Sequence, residues 1–64
     1  MSNATLDNAQ VITVLEYDEM NDKFSVNIDS RDASAVIDVD AETLSKRVNF
    51  SEDPHVFVNK IFTL

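Results

Sequence analysis

The sequence predicts a small α+β domain whose sheet has three antiparallel strands. Two segments, 23–29 and 35–40, alternate apolar with polar residues, which is the pattern of a half-buried strand. A third segment, at about 10–17, is rich in β-branched and aromatic residues. The residues that follow the last strand, 41–49, have the apolar spacing of a short amphipathic helix. Together these segments favour a sheet with one face covered by helix.

The strand at 23–29 is the most regular of the three. Its apolar residues lie at alternate positions and would line one face of the sheet: Phe24, Val26 and Ile28. The connection to the strand at 10–17 contains Asn21 and Asp22, which tolerate the positive φ of a tight turn in a chain that has no glycine. We therefore predict a β-hairpin between the first two strands.

The helix at 41–49 is predicted from the residues at its ends. Asp40 is a typical N-cap residue. Glu42 lies in the first turn and Lys46 in the last, where their charges complement the helix dipole. The apolar residues that would face the sheet are four positions apart: Leu44 and Val48.

The C-terminal segment permits two interpretations. Asp53 followed by Pro54 is a strong helix start, and an apolar stripe would then follow one side of a helix over 54–63. The β-branched content and the apolar residues at alternate positions instead favour a fourth strand. We take the helix as the prediction and the strand as the alternative.

The predicted core takes one face of each strand and helix. On the first strand we assign Val11 and Leu15 to the core, which leaves Ile12 and Val14, together with Val36, on the opposite face. The full predicted core is Val11, Leu15, Phe24, Val26, Ile28, Ile37, Val39, Leu44, Val48, Phe57, Ile61 and Phe62. Because apolar residues on a second face need a cover, a homodimer is also predicted.

The length of 64 residues supports one small domain, which we predict over 9–64 after a flexible polar tail over 1–8. A domain of this size buries only about 60% of the surface of its unfolded chain, so its stability is expected to be marginal. The chain has no cysteine that could supplement its core with a disulfide.

The composition excludes several classes of function. Twelve acidic residues against five basic ones give a net charge of −7, which opposes direct binding to nucleic acid. The absence of glycine excludes P-loops and dinucleotide folds, and the absence of cysteine excludes thiolate chemistry and cysteine-rich zinc sites. No secretory signal and no membrane-spanning apolar run is recognisable, so we expect a cytoplasmic protein without membrane contact.

The distribution of the acids predicts a contact surface. They surround the first hairpin turn, with Met20 at its tip as an apolar anchor, and would attract a protein with a basic surface. The predicted partner-binding residues are Glu16, Asp18, Glu19, Met20 and Asp22, with Asp29 and Asp32 at the far end of the second strand. We therefore predict a non-enzymatic protein-interaction or regulatory module that docks a basic partner.

Two other functions are alternatives. In size and acidity the chain is similar to small regulatory inhibitors of phage and mobile elements, some of which imitate the charge of DNA. This compositional similarity implies an inhibitor of a nucleic-acid-binding protein. The second alternative is a small metal-binding or catalytic domain, for which His55 beside Glu52 and Asp53 is the one candidate histidine. No catalytic, cofactor or metal site is predicted, because so small a domain has little room for a pocket.

Overall fold

The structure, a computed structural model, describes residues 4–64. Within these residues the chain forms a four-stranded antiparallel sheet and two helices. In chain order the elements are β1 (Val11–Asp18), β2 (Lys23–Asp29), β3 (Ser34–Asp40), α1 (Ala41–Val48), α2 (Pro54–Phe57) and β4 (Ile61–Thr63). The strand order is β3-β2-β1-β4, so β3 and β4 are the edges of the sheet. The predicted α+β class and the three predicted strands are confirmed, and the helix predicted over 41–49 is present over Ala41–Val48.

The core is organised around β2. Its side chains Phe24, Val26 and Ile28 have no exposed surface. The residues paired with them are Tyr17, Val14 and Ile12 on β1, and Val39, Ile37 and Ala35 on β3. Because paired residues point to the same side of a sheet, these side chains form one apolar inner face.

The strand β1 contains a bulge. Val14 pairs with Val26, but the next pair is Glu16 with Ser25, so Leu15 has no partner on β2. One extra residue in a strand shifts the inward and outward alternation of everything beyond it. Tyr17 lies three positions after the inward-pointing Val14, a spacing that would point it outward in a regular strand. Because of the bulge, Tyr17 points inward as well.

The predicted core face of β1 is wrong. Ile12 and Val14 are fully buried, whereas Leu15 is 39% exposed at the bulge and Val11 is only partly buried. Thr13 is the one polar residue from Val11 to Leu15, and it lies on the open face beside Asn27. Apolar residues occupy both faces of this segment, so the single polar position is a weak signal for the buried face.

Tight turns in this chain use Asx residues where glycine is commonly found. Within residues 4–64, positive φ occurs at three positions, and all three are Asp or Asn: Asp22, Asn49 and Asn59. Asp22, with φ of 53°, lies in the β1–β2 turn, as predicted. Asn49, also at 53°, ends α1 in the left-handed conformation, and its N–H donates to the carbonyl of Lys46.

The helix α1 packs on the inner face through Leu44, which is fully buried. Asp40 occupies the N-cap position, but its carboxylate accepts no capping hydrogen bond. The exposed carboxylate of Glu42 and the ammonium of Lys46 lie 3.3 Å apart, and such an exposed pair contributes little to stability.

The predicted C-terminal helix over 54–63 is wrong beyond residue 57. It begins at Pro54 as expected, where the Asp53 carboxylate accepts a hydrogen bond from the N–H of His55 at 2.9 Å. It ends at Phe57, and the fourth strand that was the alternative is present over Ile61–Thr63.

The edge of β1 accounts for this difference. The backbone of Val14 accepts from the N–H of Asn59 and donates to the carbonyl of Lys60, and β4 continues the ladder from there. These bonds satisfy groups on β1 that a C-terminal helix would leave without backbone partners. A short helix, by contrast, has little stability of its own.

Four aromatic rings connect the C-terminal segment to the sheet. The Phe57 ring centroid lies 4.9 Å from that of Phe24 and 5.0 Å from that of Phe50, and Phe62 packs against both Phe50 and Phe57. Phe50 was not in the predicted core, but its partly buried ring packs against the core of the structure. Ile61 was in the predicted core but is 66% exposed on the opposite face of the sheet.

The segment before β1 also packs against the core. Ala9 is buried, Ala4 and Leu6 contact the core, and the Leu6 carbonyl accepts a hydrogen bond from Nε of Arg47 at 3.0 Å. The predicted tail over 1–8 therefore contributes two residues to the packing, while residues 1–3 lie outside the described part of the chain.

The burial of Phe57 generates a stability prediction. Phe57→Ala removes a ring that is 2% exposed and should destabilise the domain by about 3–5 kcal/mol. That loss is comparable to the whole stability expected of so small a domain, so the variant should be largely unfolded. Ile61→Ala is the matched control, and we expect its effect to stay within about 0.5 kcal/mol. Urea denaturation followed by circular dichroism measures both, and equal stability of the two variants would contradict the assigned core.

Candidate functional site

One face of the sheet is covered and the other is open. Both helices lie on the inner face, where Leu44 and Phe57 join the core. The strand registers place the remaining side chains on the open face in four rows across the sheet. From the β1–β2 turn downward, the rows are Asp40–Lys23–Asp18, Asp38–Ser25–Glu16, Val36–Asn27–Thr13–Ile61 and Ser34–Asp29–Val11–Thr63.

The first two rows concentrate negative charge. Four carboxylates, with Lys23 as the one cation in those rows, form what we call the acidic end of the open face: Glu16, Asp18, Asp38 and Asp40. Adjacent strands are about 4.8 Å apart, so the acids of one row are about 10 Å apart across β2. Three of these acids line a shallow groove together with Tyr17, Asn21, Lys23 and Ser25: Glu16, Asp18 and Asp38.

Sequence reasoning missed Asp38 and Asp40 as members of this surface. They are far from the first hairpin in sequence, and the β2–β3 register brings them beside Ser25 and Lys23. The alternation of 35–40 already placed both residues on the polar side of a strand. Combining that alternation with a β2–β3 hairpin would have revealed their position.

Few internal contacts neutralise the acidic end. The Lys23 ammonium lies 3.9 Å from Asp40, and both side chains are at least half exposed, so their attraction is weak. Asp38 accepts a hydrogen bond from the Ser25 hydroxyl at 3.0 Å. A single hydroxyl leaves most of the hydrogen-bonding capacity of that carboxylate open to a partner.

The Asp18 carboxylate has a structural role in the hairpin turn. It accepts hydrogen bonds from the backbone N–H of Met20 at 3.0 Å and from the side-chain amide of Asn21 at 2.8 Å. The side-chain bond is the main cause that lowers the pKa of Asp18, and the backbone donors of Asn21 and Met20 act in the same direction. Asp18 is therefore part of the turn as well as of the acidic end.

The other two acids of the turn face the helical side. The phenol of Tyr17 donates a hydrogen bond to Asp22 at 2.5 Å, and Nε2 of His55 lies 2.6 Å from Glu19. The Tyr17 ring also contacts that of His55 edge-on, with 5.4 Å between centroids. Glu19 thus connects the hairpin tip to α2, and Asp22 holds the Tyr17 ring that contacts His55; the sequence indicated neither contact.

The structure separates the predicted partner-binding residues into two groups. Glu16, Asp18, Glu19, Met20 and Asp22 lie together at the β1–β2 turn, where Met20 is 94% exposed. Asp29 and Asp32 lie at the other end of β2, which is seven residues long. At about 3.4 Å per residue this puts them roughly 20 Å from the turn.

The described residues contain no assembled metal site. No three His, Asp or Glu side chains within residues 4–64 are arranged to hold a metal ion. His55, the candidate ligand, contacts Glu19, while the carboxylate of Asp53 caps α2. In the same part of the chain, none of the helices has the length and apolar character needed to cross a membrane.

Of the three apolar residues on which the homodimer prediction was based, only Val36 is exposed. Ile12 and Val14 belong to the core, so neither is available to a second copy. The open face exposes Val36 at 63%, as predicted, and also Ile61 at 66%, which was assigned to the core; the two lie on opposite edges of the sheet. A homodimer stays a prediction, with light scattering over a range of concentrations as its test.

Comparison with protein-family models, with curated proteins and with solved structures finds no match to this chain. The function is therefore inferred from the chain's own residues.

The Tyr17–Asp22 hydrogen bond generates a pH prediction. This bond raises the pKa of Tyr17 from 10.0 to about 12, and lost hydration and nearby carboxylates act in the same direction. Because the folded-state pKa is the higher one, the stabilisation is complete below pH 10 and is lost as the pH rises from 10 to about 12. Tyr17 is the one tyrosine of the chain, so ultraviolet absorbance of tyrosinate follows it directly.

The matched variant is Asp22→Asn, which keeps a residue that tolerates positive φ while it removes the charge. We expect a lower pKa for Tyr17 in this variant than in the wild type, and the urea-unfolded protein gives the reference value. Identical titration midpoints in wild type and variant would refute the assigned role of Asp22.

Proposed function

We propose that this chain is a cytoplasmic protein-interaction or regulatory module that docks a basic protein partner on the acidic end of its sheet. The observation that supports the proposal is the convergence of Glu16, Asp18, Asp38 and Asp40 on one uncovered face. Two hairpins bring these acids together, with Lys23 as the one cation among them. An enzymatic activity is not proposed.

The position of the acids on strands favours recognition. Side chains on a paired sheet are held by the backbone ladder, so a partner loses less free energy in ordering them than it would with a flexible acidic loop. Negative potential on such a surface steers a basic protein toward it and raises the association rate. Met20, 94% exposed at the tip, adds an apolar contact beside the acids.

The rest of the open face provides apolar surface next to the charge. The third row contains Val36 and Ile61, both more than half exposed, with Asn27 and Thr13 between them. Protein interfaces commonly combine an apolar region with a polar, charged rim. The open face offers both within one sheet.

The DNA-mimic alternative is less well supported. A DNA strand presents a charge about every 3.4 Å along its whole axis. On the open face, the carboxylates occupy the first two rows, where Lys23 and Ser25 separate them, and in the fourth row only Asp29 is acidic. Charge concentrated at one end complements a local basic patch on a protein better than it imitates the phosphate backbone of a DNA duplex.

The proposal is tested by removing two charges from the acidic end. The variant Glu16→Gln/Asp38→Asn spares the carboxylate of Asp18 that holds the turn. Its matched control, Asp29→Asn/Asp32→Asn, removes the same charge at the other end of β2. Tagged wild type recovers its partner from native cytoplasm, and mass spectrometry identifies it.

We expect the Glu16→Gln/Asp38→Asn variant to bind the identified partner about tenfold more weakly than wild type, with a flatter dependence on salt. The Asp29→Asn/Asp32→Asn control should bind nearly as wild type does. Equal losses in the two variants would mean that overall charge, and not the acidic end, attracts the partner. Unchanged binding by a folded Glu16→Gln/Asp38→Asn variant would overturn the proposal.

A further inference from the structure

The edge strand β3 has one row of backbone groups that no other strand within residues 4–64 uses. The bonds that flank the β2–β3 ladder define which residues these are. Ala41 donates to the carbonyl of Asp22, and Ser30 donates to that of Ala33. Both of these hydrogen-bonded pairs continue the register of the β2–β3 ladder. Along antiparallel strands, hydrogen-bonded pairs alternate with pairs that share no hydrogen bond, so the two flanking bonds identify every pair between them.

This alternation fixes the direction of each peptide group on β3. The residues whose N–H and C=O groups point toward β2 are Ala35, Ile37 and Val39. The residues whose groups point away from the sheet are Ser34, Val36, Asp38 and Asp40. Because β3 is at the edge, these outward groups have no strand beside them in the described part of the chain.

This edge is long and regular. It has seven residues, against three in β4 at the other edge. Its register with β2 is continuous from Ser34 to Asp40, without the bulge that interrupts β1. It contains neither the proline nor the lysine that commonly protects such an edge from pairing. A free edge of this kind accepts an extended peptide as an additional strand.

The side chains of β3 define the chemistry of that peptide. On the open face Asp38 and Asp40 would lie next to alternate residues of an added strand, and basic residues would complement them. On the inner face the neighbours would be Ala35 and Ile37, which are only partly buried and would gain apolar contact. The complementary strand therefore alternates basic with apolar residues.

A second copy of the chain fits this edge poorly. An antiparallel pairing of β3 with itself would bring the aspartates of both copies onto one face. Each copy also has a net charge of −7, so the association would be opposed by long-range repulsion. Charge thus discriminates against self-pairing and in favour of a basic segment.

We propose that the free edge of β3 binds an extended segment of the partner, in which Lys or Arg alternates with apolar residues, as a fifth strand of the sheet. The basic character of this segment rests on the function proposed above. The use of the β3 edge rests on the backbone geometry and is tested separately.

The probe is a synthetic peptide of seven residues, the length of β3, in which Lys alternates with Val and both ends are blocked. Binding to the full chain is followed by amide NMR. We expect the amides of Val36 and Asp38 to exchange rapidly in the free protein and to become protected on peptide addition. Protection that is already present without peptide would mean that a second copy occupies the edge. Absence of binding by the wild type would also overturn the proposal.

Val36→Pro is the decisive variant. It removes an N–H that points away from the sheet, so no ladder bond is lost and the fold should be retained. Its control, Val36→Thr, changes the same side chain and keeps the N–H. We expect Val36→Pro to weaken peptide binding about tenfold or more, and Val36→Thr to change it little. Equal affinities of the two variants would refute strand addition. Should Val36→Pro fail to fold, the protection of the Val36 and Asp38 amides in the wild type decides the question alone.

The charge variant distinguishes this inference from the proposed function. Glu16→Gln/Asp38→Asn keeps every backbone group of the edge. If this variant binds the peptide as tightly as wild type while Val36→Pro does not, the edge is used but charge does not select the partner. If the charge variant loses binding and Val36→Pro retains it, the acidic end is the contact and the proposed strand addition is wrong.

Discussion

The burial of one side of β2 determines the arrangement of everything else in this domain. Phe24, Val26 and Ile28 are completely removed from water, and each is paired with an apolar residue on both neighbouring strands. Since side chains alternate strictly along a strand, burying these three commits Lys23, Ser25, Asn27 and Asp29 to the other side. The residues paired with those four on β1 and β3 must then lie on that side as well. The acidic end is thus a geometrical consequence of the core.

The same constraint explains what could be predicted from sequence. On β2 and β3, polar residues separate the apolar ones, so alternation identified both strands and their buried faces. On β1 only Thr13 separates the apolar residues from Val11 to Leu15, so the alternation there is weak, and the bulge at Leu15 depends on the register with β2. The buried face of β1 is therefore decided by tertiary pairing. The C-terminal segment is similar, because β4 exists only through the free backbone groups of β1.

The candidate site could be predicted only in part, and the reason is related. Acids close together in sequence, such as Glu16 and Asp18, were assigned to one surface. Asp38 and Asp40 join them only through the β2–β3 register. Local patterns also could not separate acids with internal partners from those without. Asp18, Glu19 and Asp22 all have hydrogen-bonding or ionic contacts within the domain, whereas composition presented them as equivalent solvent-exposed charges.

The bulge on β1 has a consequence for sequence length. Without residue 15, Val14 would be followed directly by Glu16, and the strand would alternate in unbroken order: Ile12 inward, Thr13 outward, Val14 inward, Glu16 outward and Tyr17 inward. Those are the directions the side chains already have. A one-residue deletion within a strand normally reverses every side chain beyond it, but at this position it would preserve both faces. A homologue one residue shorter here could have the same sheet, and its gap in an alignment would fall in the middle of a strand.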